Sequence, residues 1–131
     1  VTVEGAADVL AGLYVLSKAG IYILVDKRGS IRYAGKAADF KDREYKHDKS
    51  KPPHKFVELI EVDDPDVQRG LEQWAMEHCK TCDWNKYASM SPENKNFVMR
   101  MFKTFEWLEK KGITLPSSLE EFVAGQGIKL K

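Results

Sequence analysis

The stretch GIYILVDKRGSIRYAGKAADFKDREYKH, Gly20 to His47, decides how this chain is read. Ile21 to Val25 and Ile31 to Ala34 are short runs of β-branched, aromatic and small apolar residues, the composition of strands. Between them, Asp26-Lys27-Arg28-Gly29-Ser30 carries a glycine where a tight turn needs positive φ, so the two runs are expected to form an antiparallel hairpin. Ala37 to His47 then passes through good helix formers without Pro or Gly, and Phe40 is available to pack inward, which predicts a short helix.

Downstream, Lys49 to His54 with Pro52-Pro53 must be a loop, and Phe56 to Val62 reads as a third strand ended by Asp63-Asp64. Asp64 before Pro65 is an N-cap with proline at the first helical position, opening a helix through Val67, Leu71, Trp74 and Ala75 toward Cys79. Ser91-Pro92 repeats that signal before an amphipathic stretch in which Phe97, Met101, Phe105 and Leu108 recur, and Gly112 stops it. Ser117 with Glu120 resembles a capping box for a last helix through Phe122, closed by Gly125-Gln126-Gly127. Upstream, Ala6, Val9, Leu10, Leu13 and Leu16 give Glu4 to Lys18 a helical period. The expected fold is α+β: a small, mainly antiparallel three-stranded sheet flanked by helices, with an extra N-terminal helix over 4–18 and a C-terminal helical extension over 97–131.

At 131 residues and 43% hydrophobic, the chain is the size of one domain with one core. It holds no run of about 18 apolar residues, so no membrane-spanning helix is expected. The first residues, Val1-Thr2-Val3-Glu4, lack an initiator Met and any signal-like segment, as in a piece cut from a longer polypeptide. The net charge of +1 conceals an uneven distribution. Lys27 to Lys55 holds ten Lys/Arg against Asp39, Asp42, Glu44 and Asp48, whereas Glu58 to Glu72 holds six acids and only Arg69. A basic run of this kind is either a solvated face or a surface for phosphate.

Cys79 and Cys82 form one C-x-x-C beside His78. A structural zinc site needs four ligands, so His47 or His54 would have to complete it across the fold. The pair falls at the end of a helical pattern rather than at a strand-to-helix junction, which favours partly buried free thiols over a redox motif. Trp74 and Trp107 fit a core better than a base-stacking role, because they keep helical spacing with other apolar residues.

Paired strands can bring Tyr22 and Tyr33 onto one face, where two phenols would converge. Arg43 and His47, four apart on a helix, share one side and present a cationic fork and a titratable imidazole. Phosphodiester hydrolysis asks for a deprotonated water, charge stabilisation and help for the departing oxygen. Taken singly, each residue has a bland reading: strand tyrosines pack, and Arg43, Glu72 and His47 are ordinary surface residues.

Their joint spacing resembles the GIY-YIG nuclease family. Gly20-Ile21-Tyr22 stands for the first motif and Tyr33-Ala34-Gly35 for the second, with Ala at its middle position and ten residues between the tyrosines. Lys36, Arg43 and His47 follow, and Glu72 lies where the family carries its metal-binding glutamate. The late asparagine is sought among Asn85, Asn94 and Asn96, with Asn94 favoured; the resemblance spans about Gly20 to Asn96. It implies a metal-dependent endonuclease acting on DNA or RNA. Tyr22 would receive the water's proton, directly or through His47, and Tyr33 would orient water or phosphate. As a base at neutral pH the Tyr22 phenol would need its pKa lowered by cations such as Lys36 and Arg43. Arg43 would hold non-bridging oxygens, with Lys36, Arg32 and Lys46 on the substrate backbone. Glu72 would bind one Mg²⁺ (or Mn²⁺), and Asn94 would support the cluster by hydrogen bonding.

By analogy, the expected setting is the C-terminal toxin domain of a secreted bacterial effector, acting in the target-cell cytoplasm and restrained at home by a cognate immunity protein. The alternatives are a catalytically inactive nucleic-acid-binding module, a repair or restriction nuclease of the same family, and a zinc-stabilised interaction domain built on Cys79 and Cys82.

Overall fold

The computed structural model describes residues 18–86 and 93–130. The expected N-terminal helix, except for Lys18, and the Ser91-Pro92 start signal lie outside the described residues. Within them the order is β1 (Gly20–Val25), β2 (Ile31–Ala37), α1 (Phe40–Ser50), β3 (Lys55–Glu61), α2 (Pro65–Glu77), α3 (Phe97–Lys111) and α4 (Leu119–Gly125). The strands form one antiparallel sheet in the order β2-β1-β3. This is the α+β architecture expected from the sequence.

The hairpin loop is held by Asp26. Its backbone carbonyl accepts from Gly29 N at 3.1 Å, and its Oδ1 accepts from Arg28 N and Ser30 N, both at 2.9 Å. Gly29 turns at φ 87°, inside the region that side chains disfavour. β2 continues to Ala37 rather than stopping at Ala34, because Lys36 and Ala37 pair with Ile21 and Gly20. The helix therefore starts three residues late, at Phe40, once the Asp39 side chain has accepted from Lys41 N and Asp42 N.

β1 is the central strand, and all six of its residues are buried. A strand covered on both faces reads as a continuous apolar run rather than an alternating one. One face carries Ile21, Ile23 and Val25 toward α2, α3 and α4, where they meet Leu71, Ala75, Leu108, Leu119 and Val123. The other carries Tyr22 and Leu24 against Ala37, Phe40, Tyr33, Phe56 and Trp84. Trp74 and Trp107 pack on the helical side as expected.

α2 opens as predicted, with the Asp64 side chain accepting from Asp66 N at 2.9 Å and Pro65 at the first position. α3 keeps Phe97, Met101 and Leu108 of its expected stripe buried or partly buried, but Phe105 turns outward and Thr104 takes its place. Thr104 and Leu108 are buried, whereas Phe105 is 58% exposed and Phe102 67%. The cause is a close helix crossing: a Cβ placed on Gly70 of α2 would stand 1.9 Å from Thr104 Oγ1. Helices this close need small residues at the crossing, and the crossing fixes the rotation of α3 ahead of hydrophobicity. Arg100 and Lys103 then reach back to Asp66 at 3.1 and 2.9 Å. At α4 the N-cap is Ser118, whose Oγ accepts from Glu121 N at 3.1 Å, one residue later than the expected capping box.

Cys79 and Cys82 are joined in a disulfide. This corrects the expectation of free thiols and removes both sulfurs as zinc thiolate ligands. The segment after α2 then runs along the outer edge of β2. Thr81 Oγ1 donates to Ile31 O at 2.5 Å, Trp84 N to Arg32 O at 2.9 Å, and the Asn85 side chain pairs with both Ala34 N and Ala34 O at 2.9 Å. An edge covered in this way is closed to pairing with other chains. Among the described residues, no helix is long and apolar enough to cross a membrane.

Candidate active site

The register sets Tyr22 opposite Gly35 and Leu24 opposite Tyr33, so both tyrosines project from the same face on a diagonal. Their ring centroids lie 6.0 Å apart, and Phe56 stacks on the other side of Tyr22 at 4.5 Å. Gly35 is required between them. A Cβ there would lie 2.5 Å from Tyr22 Oη and 2.8 Å from Tyr33 Cε1. Gly20 answers a different need, since its Cβ would stand 1.9 Å from Ile60 O on β3. The glycine of each motif thus has its own steric reason.

α1 lies over this face. Its buried His47 brings Nε2 to 2.6 Å from Tyr22 Oη, while Arg43, one turn earlier, is half-buried. The Tyr33 ring lies 5.0 Å from that of His47, and Lys51 Nζ sits 5.1 Å from the Tyr33 centroid. Lys51 was not singled out in the sequence, because it follows the helix as one of several loop lysines.

Electrostatics reverses one expectation. The Tyr22 phenol is raised far above its ordinary value, first by burial and then by Tyr33; Arg43 pulls it down and is outweighed, and Glu72 adds to the rise. The His47 imidazole is lowered to about 4, first by burial and then by Lys51 and Arg43. At neutral pH the phenol is therefore protonated and the imidazole neutral. Oη–H donates to Nε2, which puts the ring's own proton on Nδ1.

α2 contributes Glu72, whose Oε2 accepts from Lys36 N at 3.0 Å, tying the carboxylate to β2 one residue past the second motif. Lys36 is half-buried, and its ammonium is lowered by burial first and then by Arg69, with Glu72 opposing the shift. Tyr22, Tyr33, Arg43, His47, Lys36 and Glu72 thus converge, as the sequence suggested they could.

Other expected residues lie elsewhere. Arg32 is the extra residue at the register shift between Leu24 and Val25, and its guanidinium pairs with Asp26 at 2.8 Å and Asp83 at 3.2 Å. It braces the hairpin against the edge segment. Lys46 pairs with Asp42 at 3.1 Å on the exposed side of α1. Asn94 Oδ1 accepts from Asn96 N at 2.8 Å in the turn before α3. The asparagine joined to the site's own strand is Asn85, through the two bonds to Ala34 beside Tyr33.

Among the described residues no three His, Cys, Asp or Glu side chains gather as a ligand set. Glu72 offers one carboxylate. A hard cation that keeps most of its waters suits such a donor, and a structural zinc does not.

A buried phenol–imidazole pair, a half-buried guanidinium and one carboxylate are thus held at the two motif strands. The model of the GIY-YIG catalytic domain matches residues 18–110, most of the chain, and the protein belongs to this family of nuclease domains. Comparison with curated proteins and with solved structures gives no significant match.

Proposed function

We propose that this domain is a divalent-metal-dependent endonuclease that hydrolyses phosphodiester bonds in DNA or RNA. The observation that carries this reading is the 2.6 Å contact between Tyr22 Oη and His47 Nε2, set beside Arg43 and the Glu72–Lys36 tie.

A phenol held protonated by burial is no resting base. It can take the proton of an attacking water only as its own proton passes to His47 Nε2, so Tyr22 acts as a relay and the neutral imidazole as the acceptor. An imidazole lowered to about 4 holds that proton briefly and gives it up after the step. Tyr33 orients the water or the phosphate. Arg43 places its fork on the non-bridging oxygens. Glu72 would hold Mg²⁺ (or Mn²⁺), which when bound supplies charge neutralisation at the departing oxygen. The two-point grip of Asn85 on Ala34 supports giving the supporting asparagine role to Asn85 in place of Asn94: it holds β2 so that Tyr33 and Gly35 keep their register.

The proposed setting remains the toxin domain of a secreted bacterial effector with an immunity protein as partner. The Cys79–Cys82 disulfide supports export, since such bonds persist in oxidising compartments. A non-catalytic binding module has no chemical need for Tyr22, His47, Arg43 and Glu72 together. The deciding experiment is incubation with plasmid, single-stranded DNA and total tRNA, with and without Mg²⁺. Cleavage that requires the metal is expected; no cleavage of any polymer would leave the binding-module reading in its place.

A further inference from the structure

We propose that Lys51 is a further substrate-binding residue of this site: its ammonium, held over the Tyr33 ring at the end of α1, takes a backbone phosphate next to the one being cut. The inference rests on the nuclease reading above and adds a contact outside the two motifs and the Arg43–His47 pair.

Lys51 is the C-cap of α1, and its N–H donates to His47 O at 2.9 Å, so the chain leaves the helix one turn beyond the imidazole. Lys51 is half-buried, and its Nζ lies 5.1 Å from the centroid of Tyr33, the tyrosine of the second motif. Lys49, two residues earlier, instead lies over the exposed Tyr45 at 4.2 Å. A helix C-terminus favours a cation and a ring face attracts an ammonium, but neither neutralises the charge. Among the described residues no carboxylate lies within ion-pair reach of Lys51, whereas Lys46 is paired with Asp42 and Lys103 with Asp66.

Arg43, His47 and Lys51 follow one another at intervals of four, which sets the two cations on either side of the imidazole along one face. His47 feels both: after burial, Lys51 and then Arg43 are what lower it. Eight residues span about 12 Å of helix, so the two side chains are placed to hold different phosphates of one strand. Arg43 serves the phosphate being cut, beside the Tyr22–His47 relay, and Lys51 its neighbour. A compact ammonium with three rotatable donors suits a phosphate that needs holding rather than precise orientation.

The test uses the whole protein with Lys51→Met, which keeps an apolar stem against Tyr33 and removes the charge, and Lys51→Arg, which keeps the charge; circular dichroism verifies folding. With a cleavable oligonucleotide, Lys51→Met is expected to raise KM about tenfold with kcat within about threefold, and Lys51→Arg to recover most of the loss. In a Glu72→Gln background, the affinity for a fluorescent oligonucleotide should show a salt slope smaller by about one in Lys51→Met. Oligonucleotides carrying a single uncharged methylphosphonate, moved position by position, locate the contact: one position should weaken binding when Lys51 is present and have no effect in Lys51→Met. Unchanged KM and salt slope, with every methylphosphonate acting equally on both proteins, would overturn the proposal and leave Lys51 as a packing residue on Tyr33. If Lys51→Met fails to fold, Lys51→Gln takes its place in the same measurements. A wild-type protein that binds but cuts no polymer overturns the nuclease reading instead, and the salt slope and methylphosphonate series still judge Lys51; absence of binding overturns both.

Discussion

Tyr22 Oη lies 2.6 Å from His47 Nε2, and these two atoms join the central strand to the helix that covers it. One bond therefore serves both packing and proton transfer. Tyr22→Phe keeps the ring between Tyr33 and Phe56 and removes only the hydroxyl. Cleavage is expected to fall about 10²- to 10⁴-fold, the usual worth of a general acid–base group. Stability should fall by about 1–2 kcal/mol, because the imidazole loses its partner in a buried place. Cleavage rate and thermal midpoint on the same preparation check both, and wild-type turnover would end the relay.

His47 makes stability depend on pH. Its folded pKa, about 4, lies below the unfolded value of about 6.5, so the unfolded chain binds more protons between those limits. The stability it contributes is complete above about pH 6.5, falls as the pH drops toward 4, and changes no further below that. The loss is on the order of 3 kcal/mol, since each pH unit between the two values contributes about 1.4 kcal/mol. Urea unfolding between pH 7 and 4 should show this slope, and His47→Gln should flatten it.

Glu72→Gln keeps an oxygen able to accept from Lys36 N but removes the charge a hard cation requires. The variant should fold and bind nucleic acid, bind Mg²⁺ poorly, and turn over slower by orders of magnitude. Metal binding by calorimetry, together with cleavage rate, separates this from a surface glutamate, for which activity would be normal and stability within about 0.5 kcal/mol.

Gly70→Ala drives a methyl group into Thr104 at the α2–α3 crossing. Helix separation must grow, and a loss of about 1–3 kcal/mol is expected. Adding Thr104→Ala should return part of it, since the nearest clashing atom is the threonine oxygen. Chemical denaturation of the single and double variants measures this; equal stability of Gly70→Ala and wild type would place the helices farther apart.

Reduction of Cys79–Cys82 by a dithiol should lower stability by roughly 1–2 kcal/mol, modest because the closed ring is short. The segment over 81–85 should also exchange its amides faster, while Thr81, Trp84 and Asn85 still hold it to β2. Hydrogen exchange with and without reductant checks this, and a Cys79→Ser, Cys82→Ser double variant should ignore the reductant.

The hairpin and the Asp64-Pro65 helix start could be read from the chain because each rests on neighbours a few residues away, whereas Tyr22, Tyr33, Arg43, His47 and Glu72 stood out through their resemblance to the family's motifs. What could not be read depends on distant packing. That Thr104 and not Phe105 is buried on α3 follows from Gly70 meeting Thr104, not from the apolar period. Asn85 earns its place through Ala34, 51 residues away, and sequence order alone does not distinguish it from Asn94. The direction of the Tyr22 shift required knowing how deeply it is buried, since the nearby cation Arg43 pulls the other way and loses.

The strand order has a kinetic consequence. Tyr22 belongs to β1, which is hydrogen-bonded along both sides, whereas Arg43 and Glu72 ride on helices outside the sheet. Opening the backbone at Tyr22 means breaking the sheet, so its amide should be among the slowest in the chain to exchange, at a cost near that of global unfolding. Helix α1, which carries Arg43 and His47 outside the sheet, should open at a lower cost. On the proposed reading the first member of the relay, Tyr22, is held by the sheet, while its partner His47 and the Arg43 fork travel together on one helix, so agents that loosen that helix should weaken substrate affinity and the chemical step together.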